Sequence, residues 1–446
     1  MKTPICDFVR AYKEKQGVRA HMPGHKGALF VGCEDVDITE VFGADELYDA
    51  HGVISESEAA ASGIFGTAVT KYSCEGSSLS IRAMLYLALL HAKNKGKSTR
   101  ILAARCSHKA LMCACALLDI DIEWIFSDNA DDLVSCVITE GQLACRLDSM
   151  EEKPCAVYLT SPDYLGHIAD IKKMAEVCHK RGVLLLVDNA HGAYLNFLSP
   201  SEHPIALGAD ICCDSAHKTL PVLTGGGYLH ISKNAPDICK ESAECAMALF
   251  ASTSPSYLIL QSLDLANAYI ENGYREALGA FCEKINELRS ALISHGYTLV
   301  GDEKLKITVD AKKYGYLGTE LADMLRTKKI ECEFADPDYT VLMLTPENSD
   351  GDILRIRTAL LGIGRRAEIT GRMPRMSIPE KAMTPREAMM SAFCEIDTKD
   401  ALGRVLAQPG VSCPPAIPVV VCGEVIDGKT VDVLSYYKID KCKVIK

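Results

Sequence analysis

Apolar and polar positions along the chain follow patterns that predict helices and strands in turn. Residues 77–92, SSLSIRAMLYLALLHA, place apolar side chains at helical spacing from Ile81 to Leu89, and the serines at the start can cap a helix. We therefore expect a helix to begin directly after Gly76.

Downstream of this helix, short apolar runs alternate with helix-like stretches. The pattern predicts strands at 100–104, 122–126, 156–160 and 183–187, and helices at 108–118 and 170–180. Such alternation is typical of a parallel sheet with crossover helices, and all-apolar strands fit a sheet covered on both faces. A long helical stretch over roughly 255–295 then leads to LKITVDA, a helix near 317–328 and TVLMLT, which predict a smaller α+β domain. The expected fold class is α/β, with a mostly parallel sheet in the large domain.

Composition and charge narrow the function classes. The chain has 446 residues, of which 48% are hydrophobic and 24% charged, so it has the composition of a protein with a large buried core. The net charge is −11, and no basic block is present, which argues against nucleic acid as a partner. We expect a small-molecule partner instead.

The cysteines and the apolar runs indicate the compartment. Twenty cysteines are present but no C-x-x-C pair, so we interpret them as reduced thiols and expect no metal site. The N-terminal segment lacks the apolar stretch of a secretory signal, and no run reaches the roughly 20 apolar residues that a membrane span needs. The sequence therefore predicts a cytoplasmic protein with no membrane partner.

Three segments carry candidate chemistry, and the first is Glu75-Gly76-Ser77-Ser78 at the start of the predicted helix. A helix N-terminus offers backbone N–H groups and the positive end of a dipole, and Gly76 lets the backbone approach a ligand closely. The segment can therefore hold a phosphate. The alternative interpretation is an ordinary N-cap.

The second segment is LLLVDNAHGAY, in which Asp188 stands at the carboxyl end of a buried strand. Ligands bind beyond the carboxyl ends of parallel strands, so a carboxylate there can pair with a ligand cation. The alternative is that Asp188 caps the following turn. His191 has the same two interpretations, as a site residue or a structural one.

The third segment, ADICCDSAHKTLPVLTGGG, places Ser215, His217 and Lys218 after another short strand. Desolvation at such a position favours the neutral amine of a lysine, which is a nucleophile toward aldehydes. The alternative is a solvated loop lysine.

Pyridoxal 5′-phosphate needs a phosphate cradle, a carboxylate and a nucleophilic lysine, and the three segments supply all of them in one α/β domain. His108 in ARCSHKAL could stack on its ring, or else cap a helix.

The chain resembles the fold type I, pyridoxal-phosphate-dependent Orn/Lys/Arg decarboxylases, and the similarity spans nearly all of it. The matching stretches are RAHMPGHKG at 19–27, DITEVFGADEL at 37–47, EGSS at 75–78, CSHKA at 106–110, VDNAHGAY at 187–194, SAHKTLP at 215–221, STSPSY at 252–257 and CPPAIP at 413–418. The chain looks like the short bacterial type, which lacks the N-terminal wing domain of the large members.

The resemblance implies roles for particular residues. Lys218 would form the Schiff base, Asp188 would pair with the pyridinium nitrogen, His108 would stack on the ring and Ala190 would pack on its other face. The residues implied around the phosphate are Ser77, Ser78, Ser215 and His217, with Ser252 and Ser254 from the neighbouring subunit. A homodimer with its site at the subunit interface is therefore expected.

The resemblance also implies the activity and the domain organisation. The expected reaction is decarboxylation of lysine, ornithine or arginine to the corresponding di- or polyamine and CO2. Another fold type I reaction, as in an aminotransferase or lyase, or a catalytically degenerate regulatory paralogue, remain alternatives. Glu75 and Cys413 depart from the family pattern, and an anion at position 75 is unfavourable beside a phosphate unless its side chain turns away.

We expect an N-terminal arm at 1–30, a cofactor-binding major domain at 31–295 and a small domain at 296–446.

Overall fold

The computed structural model describes residues 1–126, 137–413 and 417–446. The chain folds into two compact units, each built from two stretches of sequence. Unit 1 consists of Met1–Ser98 and Ile171–Ala277, and unit 2 of Thr99–Asp170 and Leu278–Lys446. The domain boundaries expected near residues 30 and 295 stay a prediction. Pro414, Pro415 and Ala416 of the CPPAIP stretch lie outside the described residues.

The elements of the first half alternate between helix and strand. In chain order they are α1 (Pro4–Glu14), α2 (Val53–Phe65), β1 (Val69–Ser73), α3 (Gly76–Asn94), β2 (Ile101–Ala104), α4 (Lys109–Leu118), β3 (Ile122–Ile125), α5 (Glu140–Ser149), β4 (Ala156–Thr160), α6 (Ile171–His179), β5 (Leu184–Asp188), β6 (Ile211–Asp214), α7 (Ala216–Thr219) and β7 (Gly227–Ile231). The strands and helices predicted between residues 77 and 187 all form, with ends within a few residues of the expected ones.

The second half begins with helices and continues with short strands. In chain order the elements are α8 (Asp237–Glu241), α9 (Ala243–Ala248), α10 (Tyr257–Tyr269), α11 (Arg275–His295), β8 (Leu299–Val300), β9 (Lys306–Asp310), α12 (Ala311–Tyr314), α13 (Gly318–Thr327), β10 (Phe334–Ala335), β11 (Tyr339–Met343), α14 (Asp350–Leu361), α15 (Pro385–Met389), β12 (Phe393–Asp397), β13 (Gly410–Cys413), β14 (Ile417–Val421), α16 (Gly428–Tyr436) and β15 (Lys441–Ile445). No helix of the described residues is long and apolar enough to cross a bilayer.

The helical stretch expected over 255–295 is two helices rather than one. Between α10 and α11 the backbone leaves the helical region at Asn272 (φ −93°, ψ 49°) and Gly273 (φ 90°, ψ 16°). Glycine adopts this left-handed conformation without the steric cost that a Cβ brings, and a continuous α-helix cannot include it. The break therefore separates α10 of unit 1 from α11.

In unit 1 the strand order is β1-β7-β6-β5. Strands β5 and β6 are parallel, with Asp188 opposite Cys213, whereas β7 runs antiparallel to both β6 and β1. All side chains of β5 and β6 are buried, as predicted for strands covered on both faces. The carboxyl ends of β5 and β6 therefore lie side by side, and each is followed by a predicted site segment.

In unit 2 the strand order is β4-β2-β3, and all three strands are parallel. The strands β10-β11-β9-β8 form a separate antiparallel sheet, as the predicted α+β domain requires. The core of this unit includes Leu165, Val341, Val420, Val433 and Val444. The parallel strands with crossover helices, together with this separate C-terminal part, confirm the predicted fold class.

Candidate active site

The amino end of α3 is built on glycines that bring three backbones close together. Gly76 has a φ of +64°, and its amide donates to the carbonyl of Gly225 at 2.6 Å. A Cβ on Gly227 would lie 2.8 Å from the carbonyl oxygen of Asp214 and 3.2 Å from the carbonyl carbon of Gly76, so no side chain fits there. These glycines allow the end of β6, the start of β7 and the helix N-terminus to meet.

Glu75 precedes this helix, but its carboxylate does not cap it. Instead its Oε1 accepts a hydrogen bond from the backbone N–H of Ser252 at 2.7 Å. Ser252 and Ser254 are both exposed, and the Oγ of Ser252 accepts from the N–H of Ser254 at 3.2 Å. The departure from the family pattern at position 75 thus fastens the loop that carries these two serines.

Polar side chains after β6 approach the same helix end. The Oγ of Ser215 donates to the Oγ of Ser77 at 2.9 Å, and Ser78, in the same first turn, is half-buried. The Nδ1 of His217 lies 2.8 Å from the carbonyl oxygen of Gly226 and donates to it. The segment after β6 is therefore tied to the amino end of α3, and the backbone N–H groups of that helix end, with the hydroxyl of Ser77, are donors suited to an anion.

Asp188 is the last residue of β5, and its carboxylate is 1% exposed. Its Oδ1 accepts from the N–H of Ala190 at 3.2 Å and from the thiol of Cys213 at 3.6 Å. The turn-capping contact that the sequence left as an alternative is therefore present. Ala190 is buried in the turn that follows the strand.

Lys218 lies in the short helix α7, four residues after the end of β6, and is half-buried. Its Nζ is 3.1 Å from the Nε2 of His191. His191 is 5% exposed and belongs to the segment after β5, so the ends of both parallel strands contribute to this contact. A solvated loop lysine does not describe this environment.

His108, in unit 2, is the N-cap of α4, where its Nδ1 accepts from the N–H of Ala110 at 3.2 Å. The helix-cap interpretation is thus correct for this nitrogen. The hydrogen bond fixes the orientation of the half-buried ring and places the proton of the neutral imidazole on Nε2.

The residues of unit 1 fit pyridoxal phosphate. The chemistry of the donor set matches the cofactor: an anion cradle at the start of α3, a buried carboxylate at the end of β5, and an amine at the end of β6. The missing Cβ at Gly227 lets the backbones approach closely, and the positive φ of Gly76 favours glycine at the start of the helix. The cofactor would supply an electron-poor ring, which these residues can hold at its phosphate, its ring nitrogen and its aldehyde.

Sequence reasoning missed a buried polar network beside this site. Asp214 Oδ2 accepts from Nε2 of His203 at 3.1 Å and from Nε2 of His230 at 3.2 Å, and all three side chains are fully buried. Burial alone would raise the pKa of Asp214. The two histidines have a larger opposite effect, so the pKa lies well below its usual value. The signal in the sequence was an acidic residue ending an apolar strand, the same signal that identified Asp188.

Comparisons with known proteins point to one family. The major domain of Orn/Lys/Arg decarboxylases matches residues 3–307, and the C-terminal domain of the same family matches residues 367–442. An arginine decarboxylase of Bacillus subtilis is 28% identical over 460 residues, covering 95% of this chain and 91% of the relative.

Solved structures show the same fold. The lysine decarboxylase LdcF of Francisella novicida superposes with a TM-score of 0.80 at 16% identity, covering 100% of this chain and 81% of that one. Serine palmitoyltransferase of Sphingomonas wittichii superposes with a TM-score of 0.55 at 16% identity, covering 81% of this chain and 83% of that one. The chain therefore belongs to the Orn/Lys/Arg decarboxylase family and is a fold type I, pyridoxal-phosphate-dependent carboxy-lyase.

Proposed function

We propose that this protein decarboxylates a basic amino acid, namely arginine, lysine or ornithine. In the balanced reaction the bond between Cα and the carboxylate breaks, CO2 leaves, and a proton takes its place on Cα to give the amine. Bound pyridoxal phosphate supplies an electron-withdrawing ring that stabilises the negative charge left on Cα. The product would be the corresponding di- or polyamine.

The chain's own residues divide this work. Lys218 would hold the cofactor covalently, and its amine, 3.1 Å from His191 Nε2, would carry protons during the reaction. The buried carboxylate of Asp188 would keep the ring nitrogen protonated. His108 would stack on the ring, Ala190 would pack on the opposite face, and the cradle at Gly76 would hold the phosphate.

One contact carries the proposal. The Ser215 to Ser77 hydrogen bond of 2.9 Å ties the segment that carries Lys218 to the amino end of α3. The segment of Lys218, proposed as the nucleophile, and the helix end proposed to hold the phosphate are thereby joined within unit 1, next to the strand end that carries Asp188. Neither an ordinary N-cap nor a loop lysine needs this arrangement.

Arginine is the first substrate to test, because several relatives that match along nearly the whole chain are named arginine decarboxylases. The contact between Glu75 and Ser252 weakens the argument for a degenerate paralogue. Since the Glu75 carboxylate is engaged by a backbone N–H, it can stay away from a bound phosphate.

The test is an absorption spectrum of the purified protein with pyridoxal phosphate, recorded with CO2 release on adding arginine, lysine and ornithine separately. We expect a visible absorption band of the bound cofactor and CO2 from one of the three substrates. Lys218→Ala should lose both, whereas Lys233→Ala, which removes an exposed lysine of the same unit, should keep both. A band without CO2 from any substrate contradicts the proposed reaction but not the cofactor site.

We further propose a homodimer in which Ser252 and Ser254 reach the partner's phosphate. Large apolar side chains are exposed in the N-terminal part of unit 1, and a subunit interface would cover them. The most exposed of them are Val18 at 95%, Phe30 at 82%, Val31 at 88% and Phe42 at 105%. Light scattering should give twice the chain mass, and Phe30→Ser together with Phe42→Ser should shift the protein toward monomer.

Mixing two inactive variants tests whether the site is shared between subunits. Lys218→Ala removes the amine, and Ser254→Glu places a negative charge where the partner's phosphate would bind. If the site is shared, hybrid dimers of the two variants contain one intact site and regain up to about a quarter of the wild-type rate per chain when mixed in equal amounts. No recovery would place Ser254 outside the partner's site.

A further inference from the structure

Asp214 ends β6 as a fully buried carboxylate with partners on three sides. Its Oδ2 accepts from the Nε2 atoms of His203 and His230, and its Oδ1 accepts from the Nδ2 of Asn189 at 2.7 Å. The thiol of Cys212 adds a longer contact of 3.6 Å to Oδ1. The position of a buried carboxylate with this many donors is strongly defined, because moving it would break several hydrogen bonds to a buried charge.

The network is hydrogen-bonded rather than poised to bind a metal. The Nδ1 of His203 accepts from the N–H of Ile205 at 3.3 Å, so the ring proton is on Nε2 and faces Asp214. A metal ion would need the Nε2 lone pair. Burial lowers the pKa of His230 against the opposing effect of Asp214, which favours a neutral ring that also donates through Nε2.

The network crosses unit 1 from one strand to the next. His230 on β7 also contacts the Oγ1 of Thr70 on β1 at 2.9 Å, and Asp214 is on β6. Asn189 directly follows β5, and its own N–H donates to the carbonyl of Cys213 at 2.9 Å. The chain of contacts therefore links all four strands of the unit just behind the ends that carry the site.

We propose that Asp214, with His203 and His230, is a positioning group for the reaction: it fixes the end of β5 at Asp188 relative to the end of β6 at Lys218. This inference rests on the roles proposed above for Asp188 and Lys218. Asn189 is the next residue after Asp188, and Asp214 lies four residues before Lys218, so a shift of the carboxylate moves both. None of the three residues needs to touch the cofactor.

The first experiment compares Asp214→Asn with the wild type. The variant keeps the shape but loses the charge, so we expect kcat to fall at least tenfold with KM within threefold, and the absorption band of the bound cofactor to shift. In the protein without cofactor, hydrogen exchange of the peptide around Asn189 should become faster, since its N–H is held between the strand ends.

A matched control separates positioning from loss of stability. Asp264 is another fully buried carboxylate of unit 1, but it lies on α10 and accepts from Ser57 and from the N–H of Cys6. Asp264→Asn should lower the melting temperature while keeping kcat within about twofold. If Asp264→Asn and Asp214→Asn lose kcat in proportion to stability, the positioning role is overturned.

If Asp214→Asn does not fold, a comparison of His203→Gln with His203→Leu tests the positioning role instead. The glutamine amide can donate to Asp214 and should recover much of the kcat that the leucine variant loses; equal kcat values overturn the proposal. Tightly bound metal that is removed by a chelator together with activity would also overturn it. If the wild type releases no CO2 at all, the proposed reaction is contradicted. The hydrogen-exchange measurement still tests the positioning role in that case.

Discussion

The side-chain nitrogen of Lys218 lies 3.1 Å from Nε2 of His191. His191 comes from the segment after β5 and Lys218 from the segment after β6, so the contact joins two strand ends through side chains alone. His191 is almost fully buried, which orients its ring and holds the lysine amine at one place. The two nitrogens lie within hydrogen-bond distance of each other, which is the separation that direct proton transfer requires.

We predict that His191→Asn lowers kcat by on the order of 10- to 100-fold, because the lysine amine loses its partner for proton transfer. Pyridoxal phosphate should still bind, since the phosphate cradle and Asp188 are unchanged. Steady-state CO2 release and a cofactor titration measure the two effects separately. His51→Asn is the control, because the His51 side chain is 84% exposed. A kcat of the His191 variant within twofold of the wild type would show that the contact is incidental.

Glu75 stands directly before the amino end of α3. The effect of its negative charge on cofactor binding can therefore be tested by substitution. We predict that Glu75→Gln binds pyridoxal phosphate about two- to fivefold more tightly at low salt, since removal of a negative charge beside a helix N-terminus favours another anion there. The glutamine oxygen can still accept from Ser252. The gain should shrink at high salt.

Glu75→Ala is the companion variant, because it removes the charge and the acceptor for Ser252 together. It should bind the cofactor more weakly than Glu75→Gln if the loop at Ser252 contributes to the site. Fluorescence titration of both variants with pyridoxal phosphate gives the comparison. Equal binding by Glu75→Gln and the wild type at low salt would mean that the charge is not near the phosphate, and weaker binding would contradict the predicted repulsion.

The features that the sequence predicted are those set by short-range pattern. A run of apolar residues that ends in a polar one is visible locally, which is why the neighbours of Asp188 in sequence were enough to predict a strand end there. The helix start at Gly76 was equally visible, since glycine and two serines precede a helical period. The family resemblance then supplied roles for these positions, and the roles themselves stay predictions.

What the sequence did not reveal depends on contacts between distant positions. His230 stands inside the apolar strand GYLHI, and nothing near it in sequence identifies Asp214 and His203 as its partners. The direction of the Glu75 side chain is set by Ser252, 177 residues away. The break at Gly273 was missed because a single glycine is tolerated in many helices, and only its φ of +90° shows the interruption.

In unit 2 a buried ion pair connects the residue after β2 with the C-terminal region. Arg105 and Glu424 form a two-pronged pair with N to O distances of 2.8 and 2.7 Å, and their side chains are 4% and 5% exposed. Glu424→Gln leaves the guanidinium buried without a counter-charge, so we predict a loss of about 3 to 5 kcal/mol in the free energy of unfolding. Urea denaturation followed by circular dichroism measures it.

Lys284→Gln is the control for this prediction, because it breaks an ion pair with Asp350 that is largely exposed, at 47% and 81% for the two side chains. Such pairs contribute about 0 to 1 kcal/mol, so the variant should unfold close to the wild type. Similar midpoints for the two variants would mean that water or a rearranged side chain compensates Arg105 in the folded protein.

Glu58 gives unit 1 a predicted dependence of stability on pH. Its fully buried carboxylate accepts from Lys71 Nζ at 2.8 Å and from the N–H of Tyr72 at 2.9 Å. Burial raises the pKa of Glu58 to about 7 although Lys71 opposes the shift. Because the folded pKa exceeds the unfolded one, the stabilising contribution is present below pH 4.5 and is lost as pH rises through about 7.

Glu58→Gln removes this titration, so the stability of the wild type relative to the variant should fall by on the order of 2 to 3 kcal/mol between about pH 5 and 8. Urea unfolding at several pH values measures the difference. Glu287→Gln, which changes an exposed carboxylate of α11, should track the wild type over the same range. If the difference between wild type and Glu58→Gln stays flat or rises with pH, Glu58 is ionised throughout, and the ion pair with Lys71 outweighs the cost of burying the carboxylate.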